Sequence, residues 1–317
     1  MLTGIHDALL IHNPAAGRSR HHHRARDLES ARRILAEAGI RAEQLDTSGP
    51  GQAVELAREA GSQGRGMVIA CGGDGTINEI ANGLAGSQVP MAVLPTGTAN
   101  VLGKELGLSW KIPEALRQNL AGRLERIALG LARRESPGAR ERYFVCVGGA
   151  GVDGSMVHQV DPQLKDQTGE LAYWLTGISH FFTYPFRAFP VMAGDQCFQA
   201  VQVIVGRTKY YAGPFRVTTG ADLFSDRFEV AVFTSTNRFR YPLHMGEAWS
   251  ERLQEQSDVH FIKTDRVRCD APPGATVYAE IDGEPAGQLP IEFALAPGAL
   301  TLVVPQSETQ KRPAGVD

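Results

Sequence analysis

Met67-Val68-Ile69-Ala70-Cys71-Gly72-Gly73-Asp74-Gly75-Thr76 joins a short apolar run to a stretch of helical texture, Ile77 to Leu84. The order is strand, turn, helix, the junction at which α/β proteins hold phosphate groups. Three glycines allow positive φ and let a ligand approach the chain closely, and Asp74 sets one carboxylate beside the phosphates or their metal. The plain alternative is a glycine-rich turn with an aspartate cap.

Working outward, the same alternation repeats on both sides of this junction. Strands are expected at Ala8–His12, Arg41–Asp46, Met67–Cys71 and Met91–Leu94. Helices are expected at Asp27–Ala38, Gln52–Ala60 and Thr76–Leu84, then near Ala99–Leu106 and Glu114–Leu120. Repeated βα units imply a parallel sheet covered by helices on both faces. Beyond Arg123 the texture changes to short apolar runs bounded by Gly, Pro or Asp: Tyr143–Val147, Ala200–Val205, Phe228–Phe233, Val277–Ile281, Ile291–Leu295 and Leu300–Val304. That is the texture of antiparallel sheets. Two segments interrupt it. Glu170–Phe186 is aromatic and nearly uncharged, and Tyr241–Gln254 reads as a helix with Met245, Trp249 and Leu253 on one face.

Bulk properties exclude several classes. With 43% hydrophobic residues, 21% charged residues and a net charge of −3, the 317-residue chain reads as globular. The near-neutral balance argues against a nucleic-acid binder. No apolar run approaches the roughly 20 residues that span a bilayer, and Met1 to Ala16 lacks a secretion-signal layout, so a cytoplasmic chain is expected. Cys71, Cys146, Cys197 and Cys269 are scattered, in no zinc or disulfide spacing, and read as inert core thiols.

Other loops add to the opening turn. Asn13-Pro14-Ala15-Ala16-Gly17 follows the first strand, and Asp46-Thr47-Ser48-Gly49-Pro50-Gly51 the second. Pro95-Thr96-Gly97-Thr98-Ala99-Asn100 follows the fourth. All belong at the carboxyl edge of a parallel sheet, where ligands of α/β proteins bind. Thr47 suits either a nucleotide hydroxyl contact or a helix cap. Gly149-Ala150-Gly151-Val152-Asp153-Gly154 matches the dinucleotide fingerprint formally but lies past the parallel domain, without a βαβ unit around it. Asp282-Gly283 is a two-residue hairpin signal, and Glu284 just beyond it is a rigidly held carboxylate suited to general-base work. Asp222-Leu223-Phe224-Ser225-Asp226 reads as a polar loop, with a site for a hard cation as the alternative.

Taken together these segments resemble the diacylglycerol-kinase catalytic family, which includes bacterial lipid kinases and sphingosine kinases. The match runs through Asn13-Pro14…Gly17, Thr47, Gly72 to Glu79, Pro95 to Asn100, Gly149 to Asp153 and Asp282-Gly283-Glu284. The Gly-Gly-Asp-Gly-Thr motif is shared with NAD kinases and, loosely, phosphofructokinases; Gly-Thr-Ala-Asn and Asp-Gly-Glu discriminate better.

The resemblance implies a phosphofructokinase- and NAD-kinase-like parallel α/β domain, residues 1–125 with returning strands at about 290–307, and an antiparallel β-sandwich over 126–289. It implies an ATP- and Mg²⁺-dependent lipid kinase. ATP would lie against Asn13, Thr47, Gly72, Gly73, Asp74, Gly75, Thr76, Asn78 and Thr98. Asp74 would hold the catalytic Mg²⁺ and Glu284 would accept the proton. The structural Mg²⁺ of bacterial members would fall on Asp226 and the carbonyls of Leu223 and Phe228, although Arg227 stands here where the family has glycine. The implied partners are ATP and a lipid at the inner membrane face. A homodimer is allowed, and no nucleic acid is expected. Tyr173, Trp174, Phe181, Phe182, Tyr184 and Phe186 suit either an acyl chain or membrane surface, or a buried helix. The tract Arg18–Arg26 suits anionic lipid or plain solvation. The competing readings are an NAD-kinase-like or other small-molecule kinase, and a non-catalytic nucleotide- or lipid-binding regulator.

Overall fold

The computed structural model describes residues 4–17, 24–135, 138, 140–159, 184–211 and 213–306. The described residues form two compact units, one running up to Ile127 and resuming at Gly298, the other spanning Ala128–Pro297. Most of the Arg18–Arg26 tract, and Tyr173, Trp174, Phe181 and Phe182, lie outside the described residues.

The first unit is built from β1 (Asp7–His12), α1 (Arg24–Glu37), β2 (Arg41–Asp46), α2 (Gln52–Ser62), β3 (Val68–Gly72), α3 (Asp74–Leu84), β4 (Met91–Pro95), α4 (Val101–Glu105) and α5 (Ile112–Leu120). Its strands lie in the order β2-β1-β3-β4 and pair in parallel. The three inner strands are buried almost throughout, which is why they read as unbroken apolar runs, whereas β2 at the edge leaves Arg41, Glu43 and Asp46 exposed. Ala53, Ala57 and Ala60 form the buried stripe of α2. Gly83 of α3 fits against that helix because a Cβ there would lie 2.5 Å from the Val54 carbonyl oxygen.

The second unit is antiparallel. One of its sheets runs β12 (Val259–Thr264), β11 (Phe228–Phe233), β10 (Gln202–Gly206), β7 (Val147–Gly151), β14 (Tyr278–Ile281), β15 (Glu284–Gln288). Across from it lie β13 (Arg266–Cys269), β8 (Phe189–Ala193) and β9 (Gln196–Ala200), joined by β6 (Arg142–Phe144) and parts of two strands that carry the chain between units, β5 (Arg123–Arg134) and β16 (Ile291–Val304). Phe144, Phe189, Phe228, Val230, Val267, Ile291 and Phe293 form the shared core of the two layers. Phe144 stacks on Phe228 at 5.8 Å and meets Phe293 edge-on at 5.9 Å. Among the described residues of this unit, the α-helices are α6 (Val152–Gln159) and α7 (Arg240–Trp249).

Several expectations need correction. Tyr143–Val147 is not one strand: β6 stops at Phe144 and β7 starts at Val147, because the amides of Val145, Cys146 and Val147 all donate to the Asp282 carboxylate. Ala200–Val205 likewise splits, with β9 and β10 falling in different sheets. Ile291–Leu295 and Leu300–Val304 are a single strand that passes through Pro297 and a left-handed Gly298 at φ 56°. In α7 the buried residues are His244 and Ala248; Trp249 is exposed, and the helix ends before Glu251, whose φ is 58°. Cys197 is exposed, unlike the other three thiols.

Candidate active site

The parallel registers set the first part of the site. His12 pairs with Asp46 and with Cys71, and Gly72 with Pro95, so β1, β2, β3 and β4 finish together at one edge of the sheet. Strand order reverses at β1, the topological switch point where α/β proteins open a crevice for ligands. The loop residues Asn13, Thr47, Gly72 to Thr76 and Thr98 are all brought to this edge. Thr98 is exposed, and Asn13 and Thr47 are half-exposed. Beside Thr47, an open polar depression of about 340 Å³ is lined by Ser48, Gly49, Pro50, Gly51, Gln52 and Glu55.

Hydrogen bonds tie these loops into one surface. Asn13 Nδ2 donates to Thr76 Oγ1 at 2.9 Å while Asn13 Oδ1 accepts from the Ala15 amide at 2.9 Å. The Thr47 amide donates to the His12 carbonyl, and Thr96 to that of Gly72. Asn100, fully buried, closes its loop by donating to the Gly97 carbonyl and accepting from the Gly97 amide.

Asp74 opens α3, and its two oxygens accept from the Asn100 amide at 2.8 Å and the Val101 amide at 2.7 Å. The carboxylate thus caps α4 and binds the two glycine loops to each other. Burial pushes its carboxyl above the ordinary range, against the pull of these amides and of the Lys104 charge. The glycines of these two loops do not serve positive φ as expected: Gly72, Gly73, Gly75 and Gly97 are all outside the left-handed region, whereas Asn100, which closes the second loop, is in it at φ 44°. They serve close approach. A Cβ on Gly97 would lie 2.5 Å from Gly73 Cα. The amides of Gly75 and Thr76, in the first turn of α3, have no partner inside the helix, which leaves that end electropositive.

Two expectations at this edge change. Asn78 is buried and its Oδ1 accepts from Asn82 Nδ2, so its side chain offers a nucleotide no surface. Thr47 is not the cap of α2: Gly51 occupies that position at φ 83°, and Glu79 reaches over to accept from the Gly51 and Ala53 amides. Sequence reading also missed His12, buried at the end of β1, whose Nδ1 lies 3.0 Å from Asp46 Oδ1. Against burial, hydrogen bonds from Gln44 and His12 hold the Asp46 carboxyl below the ordinary range. A parallel alignment of the first two strands at their polar ends would have paired these residues.

In the second unit, Asp282-Gly283 forms the expected two-residue turn, with φ of 47° and 78° and Ile281 paired to Glu284. Asp282 is held there by more than its conformation, accepting from the amides of Val145 at 2.7 Å and of Cys146 and Val147 at 2.9 Å. Glu280 accepts from the Gly283 amide at 2.8 Å; it is buried near Asp153 and Asp282, and burial pushes its carboxyl up to about 8. Glu284, about a third exposed, is ion-paired with Arg142 at 2.5 Å, and Arg142 also donates to the Pro285 carbonyl. The candidate base therefore leaves a turn clamped on both sides and is aimed by an arginine.

Asp153 is buried and accepts from Tyr241 and Gln202. The glycine run before it ends β7, whose neighbours β10 and β14 are both antiparallel, so no βαβ dinucleotide site forms. Tyr184 and Phe186 are buried and meet edge-on at 5.2 Å, which places the described part of the aromatic stretch inside the unit.

The proposed structural metal residues do not fit a divalent cation. The Arg207 guanidinium donates to the Leu223 carbonyl, and to that of Ser225 at 2.6 Å, while Asp226 is exposed. Phe228 is fully buried at the start of β11. Among the described residues no cluster of three or more His, Cys, Asp or Glu side chains is arranged to hold a metal, and no helix is long and apolar enough to cross a membrane.

Comparison with known proteins bears on this arrangement directly. A diacylglycerol kinase catalytic domain matches residues 7–132, and a YegS C-terminal NAD kinase beta sandwich-like domain matches residues 146–304. The chain belongs to the diacylglycerol kinase family. It is 26% identical to a diacylglycerol kinase of Bacillus subtilis over 309 residues, covering 96% of this chain and 98% of that protein. It is 30% identical to one of Mycobacterium tuberculosis over 261 residues, 79% of this chain and 81% of the other. A crystal structure of a diacylglycerol kinase from Bacillus anthracis shares the fold, with a TM-score of 0.74 at 24% identity over 95% of this chain and 98% of that one. Membership makes this chain a kinase.

Proposed function

We propose that the chain transfers the γ-phosphoryl group of ATP to the hydroxyl of a lipid alcohol such as diacylglycerol. The observation that carries this is the meeting of four βα loops at one sheet edge, with the amides of Gly75 and Thr76 opening α3 among them. Asn13, Thr47, Gly72, Gly73, Gly75, Thr76 and Thr98 hold the nucleotide, Asn13 through the side chain that already orients Thr76. Phosphoryl transfer asks for in-line placement and charge neutralisation more than for covalent help. Mg²⁺ bound with ATP would supply the neutralisation. Asp74 would hold it, through a carboxylate whose oxygens each already serve one amide.

Glu284 is the proton acceptor. As the acceptor oxygen forms its bond to the γ-phosphorus, the bond from phosphorus to the bridging oxygen of ADP breaks; the hydroxyl proton passes to a carboxylate oxygen of Glu284. Arg142 fixes the other carboxylate oxygen, which leaves one aimed and unencumbered by that pair. Lipid chemistry, ATP and Mg²⁺ are supported by family membership together with the loop edge and the Asp-Gly-Glu turn.

ADP release from Mg·ATP, measured with micelles of diacylglycerol, phosphatidylglycerol and a sphingoid base and with NAD as a soluble acceptor, tests the proposal. A lipid hydroxyl should raise turnover, and Glu284→Gln should lower kcat about 10²–10⁴-fold with the KM for ATP little changed. Turnover stimulated by NAD but by no lipid, or a fully active Glu284→Gln enzyme, refutes it.

A further inference from the structure

The loop from Asp222 to Phe228 precedes β11 and gathers oxygen atoms. Asp222 Oδ1 accepts from the Phe224 amide, Ser225 Oγ from the Arg227 amide, and the carbonyls of Leu223 and Ser225 turn toward one side chain, Arg207. That side chain follows β10 and is fully buried, the largest such residue among those described. Its Nη1 donates to Ser225 O at 2.6 Å; its Nη2 donates to Leu223 O, and to Ala128 O at 3.1 Å. Asp222 and Asp226 add their negative field, and the guanidinium stays charged although burial pushes it down to about 10.

Oxygen atoms gathered around a positive centre are what hard divalent cations select. Here the centre is supplied by the chain, with three carbonyls on the guanidinium and the two carboxylates acting through their field. The two compete: Leu223 O already accepts from a fixed charge, and a divalent ion beside that charge would meet strong repulsion at low dielectric. Mg²⁺ also demands near-octahedral oxygens at ~2.0–2.1 Å, whereas a guanidinium is planar and reaches its carbonyls at ordinary hydrogen-bond distance.

We infer that the Arg207 guanidinium replaces the structural divalent cation expected on Leu223, Asp226 and Phe228, so that this loop is braced by a built-in cation and needs no metal. The consequence is independence: the order of the 222–228 loop does not vary with divalent-ion concentration, and any Mg²⁺ requirement of the enzyme arises from the nucleotide alone.

The test uses the full-length chain without nucleotide. After passage over a chelating resin, metal content is read by mass spectrometry and melting is followed with EDTA or with excess Mg²⁺. Wild type should carry far less than one equivalent of divalent metal and melt at the same temperature in both. Arg207→Gly should melt lower in EDTA by about 5–12 °C, from the loss of its three carbonyl partners' donor, two of those carbonyls being buried. The double variant Arg207→Gly with Arg227→Gly, which vacates the cradle, should regain part of that loss on adding Mg²⁺. A wild-type protein that retains close to one equivalent of metal, or that melts higher in Mg²⁺, overturns the inference even if neither variant folds. So does an Arg207→Gly protein as stable as wild type, or a double variant indifferent to Mg²⁺.

Discussion

Replacing Asp282 separates what the turn needs from its side chain and what it needs from its backbone. Asp282 sits at φ 47° and satisfies three amides, Val145, Cys146 and Val147, with one carboxylate. Asn tolerates that φ and keeps an oxygen for two of the amides; it loses the 2.7 Å partner of Val145 and turns an NH₂ toward that amide. One charge-assisted bond lost, with an N–H stranded, costs about 2–3 kcal/mol. Gly keeps the backbone freedom and loses all three bonds, roughly 4–5 kcal/mol after allowing for water reaching part of the site. Ala adds the penalty of a left-handed residue, about 1–2 kcal/mol more. The expected order of stability is wild type, Asn, Gly, Ala. The assay is urea unfolding together with hydrogen exchange of the amides at 145–147. In the Asp282→Asn protein the Val145 amide should lose protection by about 30-fold, the equivalent of ~2 kcal/mol, with the other two amides less affected. ADP release should fall along the same series, since the turn presents Glu284. Equal exchange at 145–147 in Asp282→Ala and wild type would refute the claim that this carboxylate ends β6 and anchors the turn.

Glu280 gives a pH signature of the same turn. Its folded value near 8 lies above the ordinary 4.5, so between those two values the folded protein binds the extra proton and stability declines as pH rises; Glu280→Gln, which keeps an acceptor for the Gly283 amide, should flatten that slope, and an unchanged pH profile by thermal melting would show that Glu280 is not the group responsible. At the nucleotide edge, Gly97→Ala must displace Gly73 Cα from 2.5 Å and crowd Asn100 Oδ1 at 3.0 Å, at a cost of about 1–3 kcal/mol in stability. That variant should also bind ATP more weakly in a titration, and wild-type affinity would mean the two loops do not need to touch.

Much of the edge is legible in the sequence. The apolar runs of β1, β3 and β4, buried on both faces, have no polar alternation to confuse them, and each is followed at once by Gly, Asn or Thr. Asp282-Gly283 was legible for a similar reason, because a two-residue turn is a local demand for positive φ. Asp74 was legible as a residue but not as a role. Its partners Asn100 and Val101 stand at the start of α4, beyond β4, and only the pairing of β3 with β4 brings them within reach.

Other features had no local signal. Arg207 reads in sequence as one more arginine beside Lys209, a solvated surface charge; folding buries it because β10 ends where the 222–228 loop turns its carbonyls inward. Arg142 and Glu284 stand 142 positions apart, and Val145 and Asp282 stand 137 apart. Such pairs are selected by register and sheet order, which depend on the summed burial of whole strands rather than on neighbours in the chain.

The sequence by itself determined two architectures, a parallel α/β part with phosphate-type loops at one edge and an antiparallel part that carries a tight Asp-Gly turn before Glu284, because period, glycine placement and turn chemistry are local. Tertiary structure alone decided what the charged groups do: Asp74 as the tie between two loops, Asp282 as the acceptor for three amides, Arg142 as the guide of Glu284, and Arg207 as the cation of its own loop. A buried charge must find its partners wherever the fold puts them, and sequence distance carries no information about where that is.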